Sequence, residues 1–147
     1  MNFRLKVTLS VTLLLVGISL KAETYCVTDF AGLKATIENA QDFDIINVSG
    51  TIHATEEILI EKTLSIVGSS GSEIVSDGSS RIFTINVPSG YVIIACLTLS
   101  GAVADGNGGA VAAVAGVVRF SGCTLSNNRS ADGGGAVYGE GDVDIQF

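Results

Sequence analysis

Basic residues, histidine and proline are scarce in this chain, and tryptophan is absent. The 147 residues include 8 Lys and Arg against 15 Asp and Glu, which gives a formal net charge of −7. Nucleic acids and anionic lipids are bound through clustered Lys and Arg, so the composition argues against both as partners. The single proline leaves no Pro-rich linker to divide the chain, and the length suits one domain.

The N-terminus carries the sequence features of an export signal. Two basic residues among the first six precede an apolar run over residues 7–20. This run is too short for a membrane span and no stop-transfer segment follows, so a signal peptide is predicted over residues 1–22, cut after Ala22 or alternatively after Ser19. The mature chain then carries 5 basic and 15 acidic residues, is exported, and has no transmembrane span.

Glycine, in contrast, is abundant, and it marks an internal repeat. Gly-Gly-Ala-Val occurs at 108–111 and 134–137, and Thr-Leu-Ser at 98–100 and 124–126, each pair 26 residues apart. Two landmarks with one spacing, in the range of 20–50 residues, are typical of a solenoid. Glycine pairs are expected at corners, where positive φ and close backbone approach are needed, followed by alanine at a narrow inner corner. The repeated residues are Gly108, Gly109, Ala110, Val111, Gly134, Gly135, Ala136 and Val137.

The strands of the repeat are predicted to stack in register. Apolar residues flank Thr98 and Thr124, with the two-residue period of a strand that buries one face. The predicted stacked pairs are Val92 with Val118, Ile94 with Phe120, Leu97 with Cys123, and Leu99 with Leu125. Together these ladders predict an all-β fold, a right-handed parallel β-helix.

With these motifs in view, the chain resembles the secreted right-handed β-helix repeat proteins, including the polymorphic outer-membrane proteins and related bacterial adhesins. Their marker pairs Gly-Gly-Ala-Ile with Phe-x-x-Asn; here the second reads Leu125-Ser126-Asn127-Asn128. The resemblance implies a pectate-lyase-like solenoid over residues 23–147, at the cell surface, in the outer membrane or outside the cell. It implies a non-enzymatic scaffold or passenger for adhesion, with host or environmental glycans or surface proteins as partners.

Asparagine at the end of this second motif is assigned to a corner of the coil rather than to a site. Asn127 and Asn128 are suited to left-handed backbone geometry and to local hydrogen bonds. We expect a stacked asparagine to bond to the neighbouring coil.

A short helix is predicted to cover the N-terminal end of the solenoid. Thr28 or Asp29 can accept the unpaired amide hydrogens at a helix start, and apolar residues then recur at helical spacing as far as Ala40. The predicted cap spans about residues 28–41. Without it the first coil would expose its apolar interior and its strand edges.

Short alternating segments over residues 44–147 predict about four to five coils. Residues 88–90 are expected to turn the chain into a long strand over 91–99. Phe147 follows Phe120 by 27 residues and is expected to begin the next rung of that column. Because no polar cap precedes the end, the sequence is predicted to be the front piece of a longer protein, with further coils or a second chain covering this edge.

An enzymatic alternative remains open at this stage. The chain would then be the N-terminal part of an extracellular polysaccharide lyase or glycoside hydrolase whose catalytic coils lie beyond residue 147. His53 alternates with a buried-type isoleucine, which predicts a solvated side chain. Arg119 and Lys62 are predicted to be single outward charges on strands. The Asn-Thr-Asp, Asp-Asp, Gly-His-Gly and Arg-Ile-Lys motifs of polygalacturonase-like enzymes are absent.

Two acidic groups offer the oxygen ligands that Ca²⁺ takes. Three glutamates surround residues 58–60, and two aspartates are predicted to alternate on the outer face of the last strand. A solvated face is the favoured interpretation of both, and turn chemistry is favoured for the Gly/Asp-rich loop 104–109. The acids are Glu56, Glu57, Glu61, Asp142 and Asp144.

Three cysteines are an odd number for an exported chain. Cys96 aligns with Gly122, one residue out of phase with the inward Cys123. Adjacent strand residues point to opposite faces, so a Cys96–Cys123 disulfide is not expected. The favoured interpretation is a buried Cys123, with Cys26 and Cys96 free or paired elsewhere.

Overall fold

A computed structural model describes residues 21–147, so all but the last two residues of the predicted signal peptide lie outside the described part. One helix and fourteen strands follow one another along this part of the chain. They are β1 (Thr24–Val27), α1 (Phe30–Asn39), β2 (Asp44–Val48), β3 (Thr51–Ala54), β4 (Ile58–Ile60), β5 (Leu64–Gly68), β6 (Glu73–Ser76), β7 (Phe83–Ala95), β8 (Thr98–Ser100), β9 (Val103–Ala104), β10 (Val111–Ser121), β11 (Thr124–Ser126), β12 (Arg129–Ser130), β13 (Val137–Gly139) and β14 (Asp144–Gln146).

Every paired strand runs parallel to its neighbour, and together the strands form a right-handed β-helix of about four turns. The largest sheet follows the order β1-β2-β5-β7-β10-β13, with β14 also paired to β10 and β4 to β7. A second sheet follows the order β11-β8-β6-β3, and β12 pairs with β9. Parallel neighbours that are separated in sequence require a crossover, and here each crossover is the rest of one coil.

Three of the four predicted stacked pairs are confirmed by the register. Val118 pairs with Val92 and Phe120 with Ile94 across β10 and β7. Leu125 pairs with Leu99 across β11 and β8. Inward positions form one apolar column through the solenoid, because alternate residues of each strand face the interior. The largest fully buried side chains in it are Phe83, Leu33, Ile46, Ile52, Ile58, Ile60, Leu64, Ile66, Ile74, Ile82, Ile85 and Ile94.

The predicted helix is present, and Asp29 rather than Thr28 caps it. The Asp29 carboxylate accepts a hydrogen bond from the Gly32 amide at 2.7 Å, which satisfies one unpaired donor of the first turn. Leu33 and Ile37 are buried on the face that contacts the first strands of the solenoid. The helix therefore covers the apolar interior of the first coil.

The strand that precedes the helix was missing from the sequence-based prediction. β1 pairs with β2 from Thr24 opposite Ile45 to Val27 opposite Val48, ahead of the helix. Only Val27 is buried in this strand, so its alternation is too short to read as a strand from the sequence. Cys26 consequently lies on a strand of the first coil.

The expected boundaries around residue 88 were wrong. β7 continues through residues 88–90 instead of ending there. It also carries two more residues than β10 in this region: Ile85 and Tyr91 are six positions apart, whereas their partners on β10, Ala113 and Val117, are four positions apart. The expected strand over 91–99 is broken at Cys96, whose φ is 54°. This left-handed residue turns the chain onto the second sheet.

The predicted position of Phe147 in the rung after Phe120 is confirmed. The rings of Phe120 and Phe147 are 5.3 Å apart and inclined by 15°. β14 pairs with β10 in the register that aligns these two residues. Apolar residues of this rung are only partly buried, and Phe147 is 85% exposed. The expectation of further coils or a covering chain concerns residues after 147 and stays a prediction.

Candidate binding groove on the outer sheet face

An open groove of about 810 Å³ crosses the outer face of the largest sheet. It lies where β7 and β10 turn a corner and where β14 adds the next rung. We call it the Tyr91–Arg119 groove. It is lined by Ser89, Gly90, Tyr91, Ile93, Gly116, Val117, Arg119, Asp142 and Gln146.

The walls of the groove are outward positions of stacked strands. Tyr91 is paired with Val117, and Ile93 is paired with Arg119, which in turn is paired with Gln146. These residues alternate with the inward Val92, Val118 and Ile145. The apolar column that stabilises the coil thus fixes the spacing of the side chains on its outside.

Two glycines that line the groove allow neighbouring parts of the chain to approach closely. Gly116 has a φ of 98°, and a Cβ added to it would lie 2.4 Å from the Val87 carbonyl oxygen. A Cβ on Gly90 would lie 2.4 Å from the Thr63 hydroxyl oxygen. Because real contacts are never this short, neither position accepts a larger side chain without local movement.

Polar groups form a hydrogen-bonded chain along one side. The Arg119 Nε donates to the Gln146 Oε1 at 2.8 Å, and the Gln146 Nε2 donates to the Asp144 Oδ2 at 2.7 Å. Asp142 lines the groove next to them. The remaining guanidinium donors of Arg119 and the carboxylate of Asp142 can bind hydroxyl or carboxylate groups of a ligand.

Two exposed aromatic rings lie beside each other, and one of them, Tyr91, lines the groove. Tyr91 is 40% exposed and Phe43 is 51% exposed, with their ring centroids 6.5 Å apart. Phe43 has a φ of 75°, an unusual conformation for a bulky residue, and its amide donates to the Thr63 carbonyl at 2.6 Å. Strained residues cluster at binding sites, so a left-handed, solvent-facing phenylalanine supports a binding role for this face.

The repeated tetrapeptides lie away from the groove, at a corner of the coil. Gly108 and Gly134 both have left-handed φ values, 74° and 62°. Val111 pairs with Val137. Ala110 is fully buried, whereas Ala136 in the last coil is half-buried. These residues turn and stack the chain.

Asparagine side chains join neighbouring coils, as expected from the sequence. The Asn128 Oδ1 accepts from the Ala102 amide at 3.1 Å, and its Nδ2 donates to the Leu99 carbonyl at 2.9 Å. Asn127 takes the left-handed conformation, with a φ of 55°. In loop 104–109, the Asn107 Oδ1 accepts from the Gly133 amide at 2.7 Å. The polar residues of both corners thus make inter-coil hydrogen bonds.

The candidate calcium ligands are engaged elsewhere or dispersed. Glu56 forms a salt bridge of 2.7 Å with Lys34, and Glu57 accepts from the Thr84 hydroxyl. Asp142 lies in the turn before β14, so the expected alternation of Asp142 with Asp144 on that strand was wrong. Glu61 is exposed beside β4. Within residues 21–147 there is no group of three or more His, Cys, Asp or Glu placed to hold a metal ion.

The isolated basic residues occupy two kinds of position. His53 and Arg119 are exposed on strands, as predicted. Lys62 is half-buried in the turn between β4 and β5, so its assignment to a strand was wrong. Its ammonium donates to the Glu38 carbonyl at 2.8 Å and ties this turn to the end of α1.

All three cysteines are free. Cys26 and Cys96 are exposed, and Cys123 is half-buried, with its sulfur 3.1 Å from the Ile94 carbonyl oxygen. The predicted absence of a Cys96–Cys123 disulfide is confirmed, whereas the prediction that Cys123 is buried was wrong, because the last coil covers it only in part. The sequence did not identify Tyr91, Phe43 or Gln146 as site residues, since outward positions carry no repeat signal.

The class of protein is therefore a right-handed parallel β-helix with an N-terminal capping helix. No protein-family model, curated protein or solved structure matches the chain. No helix among the described residues is long and apolar enough to cross a membrane.

Proposed function

We propose that this protein is an exported, non-enzymatic β-helix scaffold of the adhesin or passenger type, displayed at the cell surface or released, that binds glycans through the Tyr91–Arg119 groove. The observation that carries the proposal is the groove itself: an exposed tyrosine and an exposed arginine lie on neighbouring strands of one sheet and line the same open groove. The predicted signal peptide supports export.

A glycan fits this groove better than a folded protein surface does. The groove is open to solvent, as an extended polymer requires. Tyrosine offers an apolar ring face to a sugar ring and a hydroxyl at its edge. Arg119, Gln146 and Asp142 supply donors and acceptors for hydroxyl groups, and the arginine adds a charge for a sugar carboxylate. A few placed polar groups among apolar ones are typical of ligand sites.

The enzymatic alternative requires catalytic groups outside this groove. Glycoside hydrolysis uses two carboxylates that flank the scissile bond. The residues that line this groove include one carboxylate, that of Asp142. The alternative therefore places its catalytic groups in coils after residue 147, and it predicts release of sugar fragments by the longer protein.

Binding of purified protein to a panel of neutral and uronic-acid polysaccharides tests the proposal. Tyr91→Ala and Arg119→Ala are each expected to weaken binding by about tenfold, the cost of losing one good polar or aromatic contact. Tyr138→Ala and Arg129→Ala, which lie outside the groove, are the matched controls and should bind normally. Equal binding by all four variants, or accumulation of cleaved sugar, would contradict the proposal.

Cell fractionation tests the predicted export of the protein independently of what it binds. We expect the protein in the surface or medium fraction, with the mass of a chain that begins at Glu23. Recovery of the protein with residues 1–22 attached, from the cytoplasmic fraction alone, would contradict export.

A further inference from the structure

The carboxylate of Asp44 is fully buried at the start of the solenoid. Its Oδ1 accepts a hydrogen bond from the backbone nitrogen of Glu23 at 2.8 Å, and its Oδ2 accepts from the Gln41 amide at 2.8 Å. The salt bridges of the described residues join Lys34 to Glu56 and Arg81 to Glu57 and do not include Asp44. A buried carboxylate with neutral partners is costly, because its charge has left water without a counter-charge.

Glu23 is the first residue after the predicted cleavage site. Its backbone nitrogen, the atom held by Asp44, is the atom that signal-peptide removal converts from an amide to a terminal amine. Lys21 and Ala22, which precede it, are exposed and lie outside regular structure. The first pairing of the solenoid begins at the same residue, where the Ile45 amide donates to the Glu23 carbonyl at 2.8 Å.

We infer that Asp44 is the binding site for the new N-terminal ammonium created by cleavage between Ala22 and Glu23. A signal peptidase adds water across this bond: the C–N bond breaks, the carbonyl carbon of Ala22 gains the oxygen and becomes a carboxylate, and the nitrogen of Glu23 leaves as an amine that is protonated at neutral pH. The hydrogen bond from an uncharged amide to the Asp44 carboxylate becomes an ion pair at the same position. The attraction between opposite charges is added to the existing hydrogen bond, and this attraction is stronger at a buried site than in water.

Among the described residues, no salt bridge joins Asp44 or Glu23 to a basic side chain. The Glu23 carboxylate accepts from the Tyr25 hydroxyl at 2.9 Å, and both Glu23 and Asp44 act electrostatically on that tyrosine. Burial, with these neighbours, raises the pKa of Tyr25, so the phenol stays neutral. Asp42 is engaged with the Thr63 amide at 2.9 Å. Two acids and a neutral phenol around the Glu23 nitrogen form an environment that favours a positive charge there.

This inference rests on the export step of the proposed function and not on glycan binding. Its consequence is that removal of the signal peptide stabilises the first coil, because cleavage supplies the missing counter-charge. Cleavage at the alternative position, after Ser19, would leave three residues ahead of Glu23 and would place no ammonium at Asp44.

A double-mutant cycle, made in the full chain and measured after export, tests the ion pair. The proteins are the natural chain, a chain with Gly-Ser inserted between Ala22 and Glu23, the Asp44→Asn variant, and the combination of both changes. The insertion keeps the residues before the cleavage site but moves the ammonium away from Asp44. We expect it to lower the folding equilibrium constant by about tenfold when Asp44 is present and to have no effect in the Asp44→Asn variant. Equal losses in both backgrounds would overturn the inference.

A second measurement does not require the Asp44 variants to fold. Acylation of the terminal amine, followed by mass spectrometry, is expected to be at least tenfold slower in the natural mature chain than in the inserted one, while Lys34 reacts equally in both. Equal amine reactivity would overturn the inference even if export occurs. A mature mass that begins at Leu20 would overturn it as well, and the glycan measurements would be unaffected by either result.

Discussion

A Cβ added to Gly109 would lie 1.9 Å from the carbonyl oxygen of Gly135, the equivalent glycine of the next coil. The Gly109 amide also donates to the Gly134 carbonyl at 3.1 Å. The backbones of two coils therefore touch at this corner with no room for a side chain, which gives the repeated glycine a physical role.

Alanine at the two equivalent glycines is expected to have different effects. Gly109→Ala should lower the free energy of unfolding by about 2–4 kcal/mol, because overpacking against backbone forces two coils apart. Gly135→Ala is the matched control: its nearest neighbour would be the Asn128 carbonyl oxygen at 3.7 Å, so a change below about 1 kcal/mol is expected. Urea unfolding of both variants measures the difference. Similar midpoints would contradict the stacked corner.

Replacement of Asn128 tests its two hydrogen bonds between coils. Asn128→Ala should lower the free energy of unfolding by about 1–3 kcal/mol, since the Ala102 amide and the Leu99 carbonyl both lose a partner. Asn127→Gly serves as the control, because glycine adopts the left-handed backbone of that position without strain. An Asn128→Ala protein as stable as the natural chain would show that these bonds contribute nothing.

Shortening the stacked leucine side chains should show how much each contributes to stability. Leu99→Ala, at a fully buried position, is expected to cost about 2–5 kcal/mol. Leu125→Ala, which is half-buried in the following rung, should cost clearly less. Thr124→Asp lies on the exposed face and should be nearly silent. Thermal unfolding of the three variants provides the ranking, and any other order would contradict the register.

Asp77 provides a pH-dependent contribution to stability. The Ser79 hydroxyl donates to the Asp77 Oδ1 at 2.5 Å and lowers the pKa of this carboxyl, assisted by the Ser79 amide. Because the folded pKa lies below the ordinary value of about 4, the contribution is complete above that pH and is lost as pH falls through the folded pKa. Ser79→Ala should raise the pKa of Asp77 in a carboxyl NMR titration. Ser80→Ala, whose hydroxyl bonds elsewhere, should not.

The regular coils were predictable because their spacing is constant. From Val92 onward, each inward residue has a partner about 26 positions later, and that is enough to define the register. The earlier coils differ in length: Asp44 is paired with Leu64, and Leu64 with Val92. Spacings of 20 and then 28 residues defeat any search for a fixed period. β1 was hidden for a related reason, since its partner follows an intervening helix.

The candidate site was beyond prediction for a different reason. Phe43, Tyr91 and Gln146 come from three coils and share no motif in the sequence. The groove exists because β7 carries two residues more than β10 at its corner, and that difference becomes visible only when the strands are aligned. Inward residues must pack against the residues of the coils above and below them, whereas outward residues of a parallel strand are free to differ.

The ladder of parallel strands also has a consequence for protein engineering. Backbone hydrogen bonds and the inward column hold the coils together, so the outward positions at Tyr91, Ile93, Val117 and Arg119 act as a grid with a strand spacing of about 4.8 Å. The side chains at these positions can be substituted without changing the residues of the interior. Substitutions at these outward positions can therefore change which ligand is bound, while the distances between the side chains stay the same.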